Sequence, residues 1–260
     1  MKMQSTNIVF KVGGNFFEDA NAQEQFFSDI KKLRDKGFNV AIVHGGGSQL
    51  QTQLTALGFE TKKHQGLRVS PDEQMPAVTG VLAGTLNKKL VAMASQYELT
   101  GVGISLADGN LADCVEIDRK LGAVGYPKAR SAKLLHQLMH ADLLPIICSI
   151  GSNDEGRLFN VNADQAAACI ASLLYADLYF LCDVSGVLDH EKKRLPSLNN
   201  NEIEALIQSK VITDGMEVKV RAAQEATTVL NKPVTIGNWS DVAALTGLTA
   251  TRSGTQIQPS

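Results

Sequence analysis

IVFKVGGN, residues 8–15, places two glycines directly after an apolar strand, and VAIVHGGGSQL, residues 40–50, repeats the arrangement with three glycines. Glycine lets backbone N–H groups approach an anion closely, and the N-terminus of a following helix adds positive potential. Both segments therefore predict βα turns of an α/β fold, and with the nearby Lys11 they predict a site that holds a phosphoryl group. Either turn taken alone is equally typical of an ordinary α/β protein.

Strand-like and helix-like segments alternate along the rest of the chain. This alternation favours a mainly parallel sheet with helices on both faces. Apolar residues at helical spacing from Phe26 to Leu33, followed by Gly37, predict the first helix and its end. LYFLC, residues 178–182, predicts a buried strand, and PVTIGN, residues 233–238, predicts the final one.

Three local patterns give more detailed expectations. Ser70–Pro71–Asp72–Glu73 has the spacing of a capping box with proline at the first helical position, which predicts a helix start. Residues 101–117 resemble a hairpin with Asp108–Gly109 at its turn. A helix through residues 221–230 would leave Lys219 beside its first turn, and we expect the tail after Thr251 to be mobile.

The bulk properties exclude several classes of protein. The chain has 260 residues and a formal net charge of −2, which gives no indication of a nucleic-acid or membrane surface. The N-terminus lacks the apolar stretch of a signal peptide, and no apolar run is long enough to cross a membrane. Cys114, Cys148, Cys169 and Cys182 form no CxxC pair, which predicts reduced, buried thiols. We therefore expect a soluble cytoplasmic protein.

Ligands of open α/β sheets bind beyond the carboxyl ends of the strands. This rule gathers Lys11, the triple-glycine loop, residues 160–164, residues 183–188 and Lys219 on one edge. Phosphoryl transfer needs positive charge from several directions, which two lysines would supply. The alternatives are a solvated strand end for the first lysine and an exposed helix residue for the second.

Three further side chains have a functional and a structural interpretation. Asp164 could hold the lysines in position, or it could simply favour the start of a helix. Arg68, at a loop end, could bind a carboxylate with both arms of its guanidinium or remain exposed. We expect His44 to shape the glycine turn rather than act as a general base. The P-loop, kinase HRD and DFG, GxSxG and HExxH motifs are all absent from the sequence.

The chain resembles the N-acetylglutamate kinases of the amino-acid kinase family from Ile8 to about Gly237. The matching blocks are KVGG (11–14), AIVHGGGSQ (41–49), GLRVSP (66–71), AGTLNK (83–88), NVNADQAA (160–167), LCDVSGVLD (181–189) and VITDGMEVKV (211–220). Together these blocks are much more specific than a single glycine loop.

This resemblance implies an open three-layer αβα sandwich with a mainly parallel central sheet. It also implies two lobes, residues 1–174 for acyl-amino-acid binding and dimerisation and residues 175–260 for ATP binding. The implied activity is ATP-dependent phosphorylation of the side-chain carboxylate of N-acetyl-L-glutamate, in arginine biosynthesis. Mg²⁺ would be held mainly by ATP phosphates and water.

The resemblance also assigns roles to matching residues. Lys11 and Lys219 are the implied catalytic lysines, and Asp164 is the acid that organises them. The implied substrate-binding residues are Gly46, Gly47, Arg68 and Asn160. The implied phosphate- and ATP-binding residues are Gly14, Asp183, Val184, Ser185, Gly186, Val187, Leu188, Val211, Ile212 and Thr213.

Other expectations concern assembly, regulation and rival functions. The few residues before Ile8 leave no room for the extra N-terminal helix of arginine-inhibited relatives, so we expect an arginine-insensitive homodimer. A helix with Val81, Leu82, Leu86 and Leu90 is the candidate dimer surface, although such a stripe is also typical of a core. The rival functions are a kinase of acetyl-aminoadipate or another amino-acid carboxylate, and a catalytically inactive ligand sensor. The polar tail around SGTQI departs from the GTxI ending of the family.

Overall fold

The computed structural model describes residues 6–64, 67–250 and 253–259. The strands are β1 (Asn7–Val12), β2 (Asn39–His44), β3 (Lys63–His64), β4 (Leu67–Arg68), β5 (Gly101–Ser105), β6 (Ala112–Glu116), β7 (Val124–Ala129), β8 (Leu144–Cys148), β9 (Ile150–Ser152), β10 (Leu158–Val161), β11 (Asp177–Cys182), β12 (Ser197–Leu198), β13 (Val234–Asn238) and β14 (Thr255–Ile257). The absence of a signal peptide is predicted from the N-terminal residues, and residues 1–5 lie outside these ranges.

The helices alternate with these strands. They are α1 (Ala20–Asp35), α2 (Gly47–Ala56), α3 (Met75–Thr79), α4 (Asn87–Ser95), α5 (Lys133–His140), α6 (Ala163–Leu174), α7 (Asn200–Gln208), α8 (Asp214–Leu230) and α9 (Val242–Leu245). A π-helical segment, Gly80–Leu86, joins α3 to α4.

Eight strands form the central sheet in the order β12-β14-β13-β11-β1-β2-β8-β5. Its pairs are parallel except β13 with β14, which is antiparallel. A smaller sheet has the order β6-β7-β10-β9, and β3 and β4 form a short hairpin. Helices flank the central sheet, so the predicted α/β fold with a mainly parallel sheet is confirmed.

The helix α1 buries its predicted apolar face against the central sheet. Phe26, Phe27 and Leu33 are fully buried, and the Phe26 ring meets the Phe10 ring of β1 edge-on at 5.9 Å between centroids. Gly37 follows the helix with φ of +87°, a conformation that glycine adopts without strain. Burying such aromatic side chains supplies much of the driving force for this packing.

The central sheet divides evenly at the contact between β1 and β11. Four strands come from residues before 174 and four from residues after 175. The expected lobes, residues 1–174 and 175–260, stay a prediction.

The predicted hairpin over residues 101–117 is wrong. β5 pairs in parallel with β8 in the central sheet, whereas β6 pairs with β7 in the smaller sheet. Between them, the Asp108 carboxylate accepts hydrogen bonds from the backbone N–H and the hydroxyl of Ser105, at 2.6 and 2.7 Å. The Asp108–Gly109 turn therefore directs the chain from one sheet to the other.

The expected helix start at Ser70 lies just ahead of the observed one. A 3₁₀ turn, Asp72–Gln74, begins after Pro71 and leads into α3 at Met75, with Pro76 in the first turn of α3. Ser70 makes no capping hydrogen bond. Instead the Ser70 backbone bonds to Leu121 and Ala123 next to the smaller sheet. Pairing of this backbone with residues 121–123 removes Ser70 from the helix.

The C-terminal third differs from the expectations in two places. The helix α8 begins at Asp214, so Lys219 lies in its second turn rather than beside its first. β13 is followed by another strand, β14, which lies between β12 and β13. Residues 251–252, where the expected mobile tail begins, lie outside the described ranges, but 255–257 are an ordered part of the sheet.

The predicted state of the cysteines is confirmed. All four are buried free thiols, and burial raises the pKa of Cys114, Cys148 and Cys169 to about 12. Within the described ranges, no helix has the length and apolar character that a membrane crossing requires.

The candidate dimer helix packs into the core of its own chain. Val81, Leu82, Leu86 and Leu90 are at most 7% exposed. These four side chains therefore belong to the core, the alternative interpretation of the stripe, and the surface of a dimer stays a prediction.

Candidate active site

Lys11 lies in β1, the strand at the middle of the sheet, and points its ammonium group at the start of α6. Its Nζ atom is 2.8 Å from Oδ1 of Asp164, and each side chain is 19% exposed. Asn162 begins this helix by accepting hydrogen bonds from the backbone N–H groups of Asp164 and Gln165. The cap fixes the first turn of α6 and, with it, the carboxylate that faces Lys11.

The two glycine loops follow β1 and β2 at the same edge. Gly14 has φ of +61°, and a side chain added there would meet nothing within 4 Å, so open space lies beside it. Gly46 is different, because a Cβ atom would lie 2.1 Å from Cδ1 of Leu86. The second loop therefore needs glycine for lack of space, and the first for its backbone conformation.

His44 is buried beneath the second glycine loop. Its Nδ1 atom is 2.9 Å from the Gly45 carbonyl oxygen, and its Nε2 atom is 3.1 Å from the Asn87 side-chain nitrogen. The amide nitrogen donates to Nε2, so Nδ1 carries the proton and donates to Gly45. Burial lowers the pKa of His44 to about 4. The imidazole is therefore neutral at pH 7 and holds the turn, as predicted.

Arg68 connects the β3–β4 hairpin to α2. Its guanidinium donates to the Gly47 carbonyl oxygen at 3.0 Å and to Oε1 of Gln51 at 2.8 Å. Burial lowers the pKa of Arg68, although an arginine remains charged near neutral pH. Both partners are neutral, and among the described residues no carboxylate forms an ion pair with Arg68, so its positive charge can attract an anionic ligand.

Asn160 lies in β10 on the opposite side of the same cleft. Its side-chain nitrogen donates to the Ser70 hydroxyl at 2.9 Å, and the hydroxyl donates to the Arg68 carbonyl oxygen at 3.2 Å. A short chain of hydrogen bonds thus runs between the two predicted substrate-binding residues.

These elements enclose a cleft of about 280 Å³. Seven of the predicted site residues line it, namely Lys11, Gly14, Gly46, Gly47, Arg68, Asn160 and Asp164. Lys63, Leu67 and Val124 contribute to the same wall. The residues come from segments far apart in the sequence, as the rule for carboxyl ends of parallel strands predicts.

The loop of residues 183–188 follows β11 and is held by β14. The Val187 backbone N–H donates to the Thr255 hydroxyl at 2.8 Å, and the Gly254 N–H donates to the Ser185 carbonyl at 3.2 Å. Gly186 has φ of +143°, and a Cβ atom there would lie 2.6 Å from the Thr255 hydroxyl oxygen. The close approach of β14 therefore requires glycine in this loop.

Lys219 lies beside the loop of residues 183–188. Its Nζ atom is 3.5 Å from Oδ1 of Asp183, and the lysine side chain is 36% exposed. The segment of residues 211–213 leads directly into α8, and the Thr213 carbonyl accepts from the first-turn N–H groups of that helix. Lys219 is not among the residues that line the cleft around Lys11. Among the described residues, the Asp164 carboxylate forms an ion pair with Lys11 and none with Lys219, which pairs with Asp183.

Besides Lys63, Leu67 and Val124 in the wall of the cleft, sequence reasoning missed Ser70 and Asn87, which contact residues singled out in the sequence. Ser70 was expected to cap a helix, yet its hydroxyl links Arg68 to Asn160. Asn87 belongs to the AGTLNK block, and its side chain fixes the protonation of His44 and donates to the Ile146 carbonyl at 2.9 Å. A lone serine or asparagine gives no spacing signal that would reveal such long-range partners.

The model of the amino acid kinase family matches residues 7–238. The chain belongs to the amino acid kinase family. The match includes both glycine loops, Asp164 and Lys219.

Individual members of the amino acid kinase family are similar over their whole length. The acetylglutamate kinase of Shewanella amazonensis is 43% identical over 260 residues, which is 100% of this chain and 99% of the relative. That of Mannheimia succiniciproducens is 46% identical over 254 residues, covering 97% and 99%. The solved structure of smu.665 from Streptococcus mutans superposes with a TM-score of 0.79 at 27% identity and covers 98% and 99% of the two chains.

Proposed function

We propose that this chain is an acetylglutamate kinase of arginine biosynthesis. It transfers the terminal phosphoryl group of ATP to the side-chain carboxylate of N-acetyl-L-glutamate and gives N-acetyl-L-glutamyl 5-phosphate and ADP. The observation that carries the proposal is the convergence of Lys11, two glycine loops and Arg68 on one cleft in a chain so similar to acetylglutamate kinases.

The reaction needs no general base. The attacking carboxylate has a reference pKa of about 4.3 and is ionised at neutral pH. One of its oxygens forms a bond to the terminal phosphorus while the bond from that phosphorus to the ADP oxygen breaks. The main obstacle is repulsion between two anions, because unit charges 4 Å apart repel by about 4 kcal/mol at an effective dielectric of about 20.

Lys11 is the proposed group that offsets this repulsion. Its ammonium lies close to Gly13, and the ion pair with Asp164 holds it at the wall of the cleft. The N–H groups of the glycine loops and the N-terminus of α2 add further positive potential. Lys219 is proposed to act from the nucleotide side, next to the Asp183 carboxylate.

The residues of the cleft also fit an acyl amino acid. Arg68 offers a positive charge for the α-carboxylate, and Asn160 offers an amide on the facing strand. Leu67 and Val124 add apolar surface to the wall of the cleft. These features support assignment of this cleft to the acyl substrate.

The nucleotide would lie along the loops of residues 183–188 and 211–213. Gly14 has open space for a phosphate, and the exposed Asp183 side chain lies beside Lys219. Mg²⁺ would be held mainly by ATP phosphates and water. A cytoplasmic homodimer that is insensitive to arginine stays a prediction, which light scattering and activity at millimolar arginine would test.

A hydroxamate assay tests the proposal, because hydroxylamine traps the acyl phosphate. We expect product with ATP, Mg²⁺ and N-acetylglutamate, and much less with glutamate or acetyl-aminoadipate. Faster reaction with acetyl-aminoadipate would assign the chain to the rival kinase. Binding of N-acetylglutamate without any phosphoryl transfer would identify a sensor.

A further inference from the structure

Arg157 directly precedes β10, three residues before Asn160, and forms a cluster of charged contacts. Its Nη1 atom is 2.5 Å from Oε2 of Glu116. Its Nε and Nη2 atoms are 3.1–3.2 Å from the Asp72 carboxylate. These two acids raise the pKa of Arg157, and the side chain is 35% exposed. The guanidinium thus joins the loop before α3 to the smaller sheet.

The cluster depends on the lack of a side chain at Gly125 in β7. Gly125 pairs with Glu116 of β6 on one side and with Val161 of β10 on the other. A Cβ atom at Gly125 would lie 2.8 Å from the Phe159 side chain. The missing side chain lets the Phe159 ring lie over β7, and the Arg157 guanidinium stands 5.1 Å from the centre of that ring. Three strands therefore support the guanidinium.

The segment from Ser70 to Asp72 is fastened to β10 by two side chains. Asn160 donates to the Ser70 hydroxyl, and Arg157 donates to the Asp72 carboxylate. Because side chains alternate along a strand, Asn160 lies on one face of β10, and Phe159 with Arg157 lies on the other. The segment is thus held at both faces of the same strand, only two residues after Arg68.

We propose that Arg157 is a positioning residue for the acyl amino acid, an inference that rests on the proposed function. By holding Asp72, it fixes the segment that carries Ser70 and thereby the separation between Arg68 and Asn160. It touches neither the cleft nor the predicted nucleotide loops. Its loss therefore weakens binding of N-acetylglutamate and leaves the chemical step and ATP binding unchanged.

The test is steady-state kinetics of Arg157→Gln and Asp72→Asn in the hydroxamate assay. Each variant is expected to raise KM for N-acetylglutamate by about two- to fivefold, with kcat and KM for ATP unchanged. The double variant should match the single ones, because both remove the same contact. Arg157→Lys should recover part of the loss. Added salt should raise KM of the wild type more than that of Arg157→Gln, because exposed ion pairs are screened.

Arg130→Gln is the matched control. Arg130 forms an exposed ion pair with Asp154, which lies in the same turn as Arg157, and among the described residues it makes no hydrogen bond or ion pair with the Ser70–Asp72 segment. An unchanged KM in Arg157→Gln, or the same KM rise in Arg130→Gln, would overturn the proposal. So would additive effects in the double variant, or a fall in kcat that follows the loss of thermal stability. A wild-type enzyme that does not phosphorylate N-acetylglutamate would instead refute the proposed function.

Discussion

Replacement of Gly46 by alanine tests how closely the second glycine loop must pack. The added methyl carbon would lie 2.1 Å from Cδ1 of Leu86 and 3.1 Å from Cδ2 of Leu82. Carbon atoms prefer about 3.5–4.0 Å, so loop and leucine must separate by about 1.5 Å. Both leucines are at most 4% exposed and cannot turn into solvent. The backbone of Gly46 is extended at φ of 175°, so conformational strain does not contribute.

Two measurements follow from this displacement. Overpacking of a core costs about 1–3 kcal/mol, which lowers Tm by about 2–10 °C in a chain of this size. A misplacement of about 1 Å at reacting groups can cost about 100-fold in rate, so kcat/KM in the hydroxamate assay should fall by that order.

A second substitution separates steric displacement from other effects. Leu86→Ala removes the atom that the new methyl group meets, so Gly46→Ala with Leu86→Ala should recover about tenfold of the lost kcat/KM. Gly84→Ala is the matched control, because a Cβ atom there meets nothing within 4 Å. Wild-type activity and Tm in Gly46→Ala would refute the reasoning, as would a double variant with no more activity than the single one.

Three further predictions concern the charged residues and His44. Lys11→Ala and Lys219→Ala should each lower kcat by about 100- to 1,000-fold with little change in KM, whereas a change in KM alone would assign them to binding. Arg68→Lys should raise KM for N-acetylglutamate by about tenfold in the same assay, because lysine lacks the planar guanidinium that donates two hydrogen bonds to a carboxylate. An unchanged KM would show that Arg68 does not bind the substrate. Burial lowers the pKa of His44 from 6.5 to about 4, so between these values the unfolded chain binds a proton that the folded one does not. The free energy of unfolding therefore falls as pH falls through that range, by about 3 kcal/mol from this group. In urea unfolding between pH 7 and pH 4, His44→Asn should lose about 3 kcal/mol less of this free energy than the wild type.

The sequence predicted the elements that carry their own local signal. The strand before Gly13, the apolar face of α1 and the glycine turns follow from spacing and side-chain type alone. The rule for carboxyl ends of parallel strands then placed Lys11 near Asp164 without knowledge of strand order. Such predictions succeed because residues close in sequence determine them.

The errors arose where a distant partner overrides a local pattern. Ser70 has the spacing of a helix cap, but its backbone pairs with residues 121–123. Residues 101–117 have the pattern of a hairpin, but β8 and β7 offer each half a different neighbour. β14 is only three residues long, and its place depends on β12 and β13. Local propensity contains no information about these pairings.

The contacts of β14 with residues 185–187 also constrain the order in which the molecule can be assembled. The Thr255 hydroxyl and the Gly254 N–H reach a loop that is synthesised about seventy residues earlier. While the ribosome is still translating β13, β1 can already pair with β2 and form the turns beside Lys11, but the Asp183 loop lacks the strand that shapes it. Competence to bind a nucleotide should therefore arise late in biosynthesis, after much of the core has formed.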